Sequence, residues 1–250
     1  MSKFNLGNES YESWLFAECA AAAYKGKVAG QKAFKKLGFT SYKLMDLLGA
    51  QAVCASNPEF VVIAFRGTQP SQMSDVKADL DFWPTAQKNG EGSVHNGFAY
   101  EVDKIEQDIS DYLRRHKGKP LYVCGHSLGG AMAQIWAQRN EPIVTAMYTY
   151  GSPRVGDAVF RDKLIVKHVR CVNNNDVVAS IPPAVFFRHT GNIKYIDSDG
   201  QVMKDYSWWK DFKDMWAGFW DAWSQFKLFD GIADHNIAKY AQNLKKNIEE

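Results

Sequence analysis

The chain reads as an α/β protein with a mostly parallel central sheet covered by helices on both faces. Three observations predict this. Phe60-Val-Val-Ile-Ala-Phe65 and Leu121-Tyr-Val-Cys124 are continuous apolar runs without alternation, the pattern of strands buried on both faces. The first ends in Arg66-Gly67 and the second breaks into a glycine-rich turn that opens a helix. Strand-like and helix-like segments then alternate through the middle of the chain, the order from which parallel sheets are built.

The elements follow in order. Ser10 to Tyr24 carries a helical pattern, and Tyr42 to Asp46 and Gln51 to Ser56 read as strands before the first buried run. Gly97 to His116 repeats apolar residues at helical spacing (Phe98, Val102, Ile105, Ile109, Leu113) and stops at Gly118 and Pro120. After the second buried strand a helix runs to Asn140. Ile143 to Tyr150 and Lys167 to Asn173 are two further strands, with a short helix from about Gly156 to Leu164 between them. Tyr206 to Phe229 is aromatic and helical, and Asp234 to Ile248 is a closing amphipathic helix. No repeat or linker divides the 250 residues, so a single domain is expected over 1–250.

Composition excludes several classes. Hydrophobic residues make up 46% and charged residues 23%, and the formal charge of +2 is scattered, which leaves no nucleic-acid footprint. Cys19, Cys54, Cys124 and Cys171 are far apart in apolar stretches and are expected to be free, buried thiols. The N-terminal apolar run is too short for a signal peptide, and no segment approaches the ~18 apolar residues that cross a bilayer. A cytoplasmic location is the expectation, with export by a route that reads no N-terminal signal as the alternative.

Chemistry concentrates at Gly125-His126-Ser127-Leu128-Gly129, a G-x-S-x-G between a buried strand and a helix. A serine on so sharp a turn is forced into strained backbone geometry, with its hydroxyl clear of the sheet at a helix N-terminus. A serine hydroxyl needs a base to take its proton and a third group to orient that base. On such an elbow these follow in the chain order Ser, Asp or Glu, His. Asp157 and Asp162 lie in a helix-like segment where solvated charge is usual. Asp197 and Asp199 belong to a D-S-D-G hairpin-turn signal. Asp176, in the loop beyond a strand's C-terminal end, is the expected acid. His168 lies in a strand pattern and His189 in a loop, which leaves His235, just before the last helix, as the expected base.

At this point the sequence resembles the class 3 lipases. Phe65-Arg-Gly-Thr68, Val94-His-Asn-Gly-Phe98, Gly125 to Gly130, Tyr150-Gly-Ser-Pro-Arg-Val-Gly156, Asn175-Asp176-Val-Val with Pro182-Pro183, His189-Thr-Gly191 and Asp234-His235-Asn-Ile-Ala-Lys-Tyr240 match family segments in order over roughly residues 60 to 240. The family often has a proline soon after its aspartate, and here that proline comes later. The resemblance implies an α/β-hydrolase fold, the triad Ser127, Asp176 and His235, and an oxyanion hole from Thr68 and the Leu128 N–H. It implies acyl transfer to water on lipid esters, with no metal or organic cofactor. Phospholipid, galactolipid or phenolic esters are alternatives on the same machinery, and a non-catalytic lipid-binding module is a third reading. His95 and Arg154 read as structural members of their motifs.

Two segments are candidate covers. Residues 69–93 occupy the family's lid region, either as a mobile cover or as an ordinary surface excursion. Residues 206–229 carry Trp208, Trp209, Trp216, Trp220 and Trp223, five of the eight tryptophans, with Phe212, Phe219 and Phe226 on one helical face. That face either packs on the core, or contacts substrate and a lipid interface through residues such as Trp216 and Trp220.

Overall fold

The computed structural model describes residues 3–67, 83–89, 91–182, 186–203 and 234–249. Among the described residues there are nine strands: β1 (Ser41–Leu47), β2 (Ala50–Ser56), β3 (Val61–Phe65), β4 (Pro84–Ala86), β5 (Ser93–His95), β6 (Leu121–His126), β7 (Ala146–Tyr150), β8 (His168–Asn173) and β9 (Asn192–Ile196). The helices are α1 (Glu9–Ala23), α2 (Gly26–Lys36), α3 (Asn96–Arg114), α4 (Leu128–Arg139), α5 (Ala158–Lys163) and α6 (Ile237–Glu249), with short 3₁₀ turns at Glu141–Ile143 and Val177–Ser180.

Seven strands form one sheet in the order β1-β2-β3-β6-β7-β8-β9. The β1–β2 and β2–β3 pairs are antiparallel, and every pair from β3 to β9 is parallel. Strands β3, β6, β7 and β8 are buried at every residue, which is why β3 and most of β6 run apolar without alternation, while β8 buries the polar His168, Arg170 and Asn173 as well. Pairing of Phe65 with Gly125, His126 with Tyr150 and Tyr150 with Cys171 aligns the C-terminal ends of these four strands. Loops leaving that edge therefore converge, the usual position for a site in an open α/β sheet.

Each face of the sheet has its own core. On one, Leu15, Phe16, Cys19 and Ala20 of α1 and Tyr240, Ala241 and Leu244 of α6 pack against Val62, Cys124, Tyr148, Tyr150 and Cys171. Helix α1 begins where the Asn8 side chain accepts from the Tyr11 N–H. On the other face, Phe98, Val102, Ile105 and Ile109 of α3 meet Met132, Ile135 and Trp136 of α4 over Ile63, Val123 and Met147. Helix α4 is buried on nearly all sides because it lies between the sheet and α3. Each large apolar side chain so buried contributes roughly 1.5–3 kcal/mol against leaving it in water.

Most expected elements are present, with ends shifted by a few residues. The strand expected from Ile143 begins at Ala146, after the 3₁₀ turn that Pro142 favours. Asp197 does turn the chain: its Oδ1 accepts from the Asp199 and Gln201 N–H groups. Helix α2, β9 and the β4 and β5 strands had no counterpart in the sequence reading. Helix α2 buries only Gly30 and Phe34, and β9 is a half-exposed edge strand, so neither carries a strong apolar pattern. The end of the stretch read as a lid forms a hairpin, β4 against β5, tied down where Gln87 donates to Gln138 and Lys88 pairs with Asp103. Residues 69–82, and all of 206–229, lie outside the described residues. All four cysteines are free and buried. Among the described residues no helix is long and apolar enough to cross a membrane.

Candidate active site

Ser127 stands between β6 and α4 with φ 58 and ψ −130. A non-glycine residue in that region stores roughly 1–3 kcal/mol of strain unless its surroundings hold it. They do: the Ser127 N–H donates to the Tyr150 carbonyl at 3.0 Å, and its own carbonyl accepts from the Gly130 N–H at 2.8 Å. The turn is so tight that a Cβ on Gly125 would overlap the Gly129 carbonyl and lie 2.8 Å from the Gly130 N. Leu128 is the first residue of α4, so its N–H has no acceptor within the helix.

Asp176 follows β8 and is 3% exposed. Its carboxylate collects three donors. The Val178 N–H donates to Oδ1 at 3.0 Å, His235 Nδ1 lies 2.9 and 2.8 Å from the two oxygens, and the Tyr240 hydroxyl donates to Oδ2 at 2.5 Å. Tyr240 also accepts from the Asn173 N–H at 3.0 Å. Burial, with the neighbouring Asp176 carboxylate, raises its phenol well above the usual range and keeps it a neutral donor.

His235 is 1% exposed and sits in the turn before α6. A carboxylate only accepts, so the Nδ1 proton faces Asp176 and Nε2 carries the lone pair. That Nε2 is buried and has no hydrogen-bond partner among the described residues. The His235 carbonyl accepts from His126 Nε2 at 2.6 Å, and the two rings lie 4.3 Å apart. His126 immediately precedes Ser127, so this contact brings the His235 turn against the elbow. Asp234 pins the turn from the other side. Its carbonyl accepts from Asn173 Nδ2 at 3.0 Å, and its carboxylate accepts from Asn174 Nδ2 at 2.9 Å and from the Asn175 N–H.

Gly151, at the end of β7, has φ +53 and lies directly against the acid–base pair. A Cβ there would overlap Asp176 Oδ2 and come within 2.8 Å of His235 Nδ1.

The residues that competed for these roles are engaged elsewhere. His168 takes the Thr149 hydroxyl at Nε2 and bonds Thr190 Oγ1 through Nδ1, and burial drives its pKa down to about 3. Burial, then the Arg170 and Arg154 charges, keeps His189 neutral as well. Asp157, read as a solvated charge, caps α5 and accepts from the Ser93 N–H. Asp162 pairs with Arg161 at the surface. The structure thus brings Ser127, Asp176 and His235 to one edge of the sheet, with Leu128 beginning the adjoining helix. Thr68, Trp216 and Trp220 lie outside the described residues. Sequence reasoning assigned no role to Tyr240, Asp234, Gly151, Tyr24 or His126. Tyr240 and Asp234 share the motif that holds His235, Gly151 and His126 lie in two other motif segments, and only Tyr24 stands outside all of them.

A mostly parallel sheet with a nucleophile elbow, followed in chain order by a hydrogen-bonded Asp–His pair, defines the α/β-hydrolase fold. The family model described as lipase (class 3) matches residues 62–186, half of the chain, and the protein belongs to that family. A lipase from Rhizomucor miehei is 36% identical over 152 residues, covering 54% of this chain and 41% of the relative. The structure of Rhizomucor miehei triacylglyceride lipase superposes with a TM-score of 0.67 at 25% identity, covering 76% of this chain and 81% of that one. A triacylglycerol lipase whose catalytic centre is formed by a serine protease triad superposes with a TM-score of 0.65 at 25% identity, over 76% and 81% of the two chains. This chain spans less than half the length of the curated lipase from Rhizomucor miehei.

Proposed function

We propose that the protein hydrolyses carboxylic esters, lipid esters foremost, through an acyl-enzyme on Ser127. The observation that carries this is His235: Nδ1 is held by Asp176, while Nε2 is buried, unbonded among the described residues and beside a strained serine elbow. His235 Nε2 takes the Ser127 proton as Oγ attacks the ester carbonyl. Asp176 orients the imidazole and stabilises the imidazolium, and His235 then protonates the leaving alcohol. Water, activated by the same base, releases the acid and restores the serine. The Leu128 N–H, at a helix N-terminus, and Thr68 are the oxyanion donors in this reading, each worth roughly 3–4 kcal/mol of transition-state stabilisation. The aromatic 206–229 segment, with Trp216 and Trp220, is the surface proposed to meet the acyl chain or the lipid interface.

Hydrolysis of a soluble p-nitrophenyl ester and of emulsified triacylglycerol tests the reading. Ser127→Ala and His235→Ala should each lose nearly all turnover while remaining folded, and the double variant should be scarcely worse than either, because triad members act as one unit. Substantial turnover in Ser127→Ala would overturn it.

A further inference from the structure

Three segments must keep register for this chemistry: the strand end that leads into Thr68, the serine elbow, and the turn that carries His235. They lie far apart in sequence, and the described contacts join them through two side chains that the triad does not use. The His126 ring is 2% exposed and bonded at both nitrogens. Its Nε2 lies 2.6 Å from the His235 carbonyl, which can only accept, so Nε2 carries the proton. Nδ1 is therefore the lone-pair nitrogen, and the Tyr24 hydroxyl, 2.9 Å away, donates to it. The Tyr24 oxygen also packs against Gly67, one residue before Thr68, where an added Cβ would come within 2.6 Å of it, and the Arg66 guanidinium sits over the Tyr24 ring at 5.6 Å. Tyr24 to His126 Nδ1 and His126 Nε2 to the His235 carbonyl is thus a directed chain with both polarities assigned, and Tyr24 packs against Gly67 at its far end. Burial keeps the His126 imidazole neutral and the Tyr24 phenol protonated, the states the chain requires.

We propose that Tyr24 and His126 are positioning residues that hold the oxyanion-side strand end, the Ser127 elbow and the His235 turn in one register. The proposal rests on the triad reading above. Neither residue reaches the reacting atoms. His126 acts on the base through the backbone of His235, and Tyr24 acts through His126 and Gly67. Losing either bond lets the His235 turn drift from Ser127, which lowers the rate of proton transfer while leaving substrate binding as it was.

The test uses the full chain and a soluble p-nitrophenyl ester, reading kcat and KM separately, with the melting temperature measured alongside. Tyr24→Phe removes one oxygen, and a lost neutral hydrogen bond should lower kcat about three- to tenfold at unchanged KM. His126→Leu removes both bonds and should lower kcat further. His126→Gln can return an N–H to the His235 carbonyl and should recover kcat toward the Tyr24→Phe value. The double variant Tyr24→Phe/His126→Leu should be no slower than His126→Leu alone, because both act through one chain. Wild-type kcat in Tyr24→Phe, or equal losses in His126→Gln and His126→Leu, would overturn the proposal. Should His126→Leu fail to fold, Tyr24→Phe and His126→Gln decide the matter. Ser127→Ala serves as the control. Full turnover there defeats the triad reading itself, whereas a dead Ser127→Ala beside a fully active Tyr24→Phe defeats only the positioning chain.

Discussion

Asp176 is a buried carboxylate in close company: one backbone N–H, one imidazole N–H and one phenol converge on it. Removing a charge from water is costly unless it is fully hydrogen-bonded, and here each donor also fixes a direction. The price of this crowding is that nothing larger than hydrogen fits at Gly151. Gly151→Ala places a methyl group into Asp176 Oδ2 and beside His235, at a backbone φ that disfavours a side chain. The expected outcome is a folded protein whose kcat falls about a hundredfold, the loss that roughly 1 Å of misplacement brings to a reacting group. Steady-state kinetics with a melting curve checks this. Wild-type kcat would mean that the loop, the carboxylate and the imidazole can yield together without loss of alignment.

Among the elements, the elbow is tied to its neighbours by backbone bonds, whereas the aromatic segment 206–229 is defined by its sequence pattern. A face of eight aromatic residues is energetically large, and where it points decides what a substitution does. Trp216→Ser with Trp220→Ser separates the two accounts. A cover or interface anchor should leave the melting temperature nearly unchanged and lower activity on emulsified long-chain esters, with soluble short esters still hydrolysed. A core helix should instead lose several kcal/mol of stability from two large-to-small changes, and both activities with it. Thermal melts and paired assays on the two substrates read the difference, and joint collapse would end the interfacial reading.

At the scale of the whole molecule, the sheet divides two cores, and three histidines packed around them, His126 and His168 buried and His189 half-buried, link stability to pH. His126, His168 and His189 are all held below their usual pKa by burial, His168 down to about 3. In the unfolded chain they titrate near 6.5, so below that pH the unfolded state binds protons that the native state refuses. Their contribution to stability is therefore intact above about pH 6.5 and is lost as pH falls toward the folded pKa. Each contributes up to roughly 1.4 kcal/mol per pH unit in that window. Urea midpoints at pH 7.5, 6.0 and 5.0 should fall steadily, before most carboxylates begin to protonate. A flat profile would show that these imidazoles are reached by solvent or charged in place.

Much of this was written locally. Buried parallel strands announce themselves as unbroken apolar runs, and the elbow as a G-x-S-x-G between strand and helix. Chain order limited the acid and the base to residues after Ser127, and local pattern then chose Asp176 over Asp157 and His235 over His168, because the two competitors sit in segments that give a side chain other work. Helix α2 and β9 escaped because each buries too little to impose a pattern. Tyr24, His126, Asp234 and Gly151 escaped for a different reason. Tyr24 meets a residue 102 positions away, and His126 one 109 positions away. Contacts of that range are set by the pairing of Phe65 with Gly125 and His126 with Tyr150, not by any residue's neighbours in the chain. A single sequence determines which side chains can do the chemistry, since that depends on type and local pattern. Which of them touch was decided only by the closing of the sheet, because hydrogen bonds act over about 3 Å of space however far apart their partners lie in the chain.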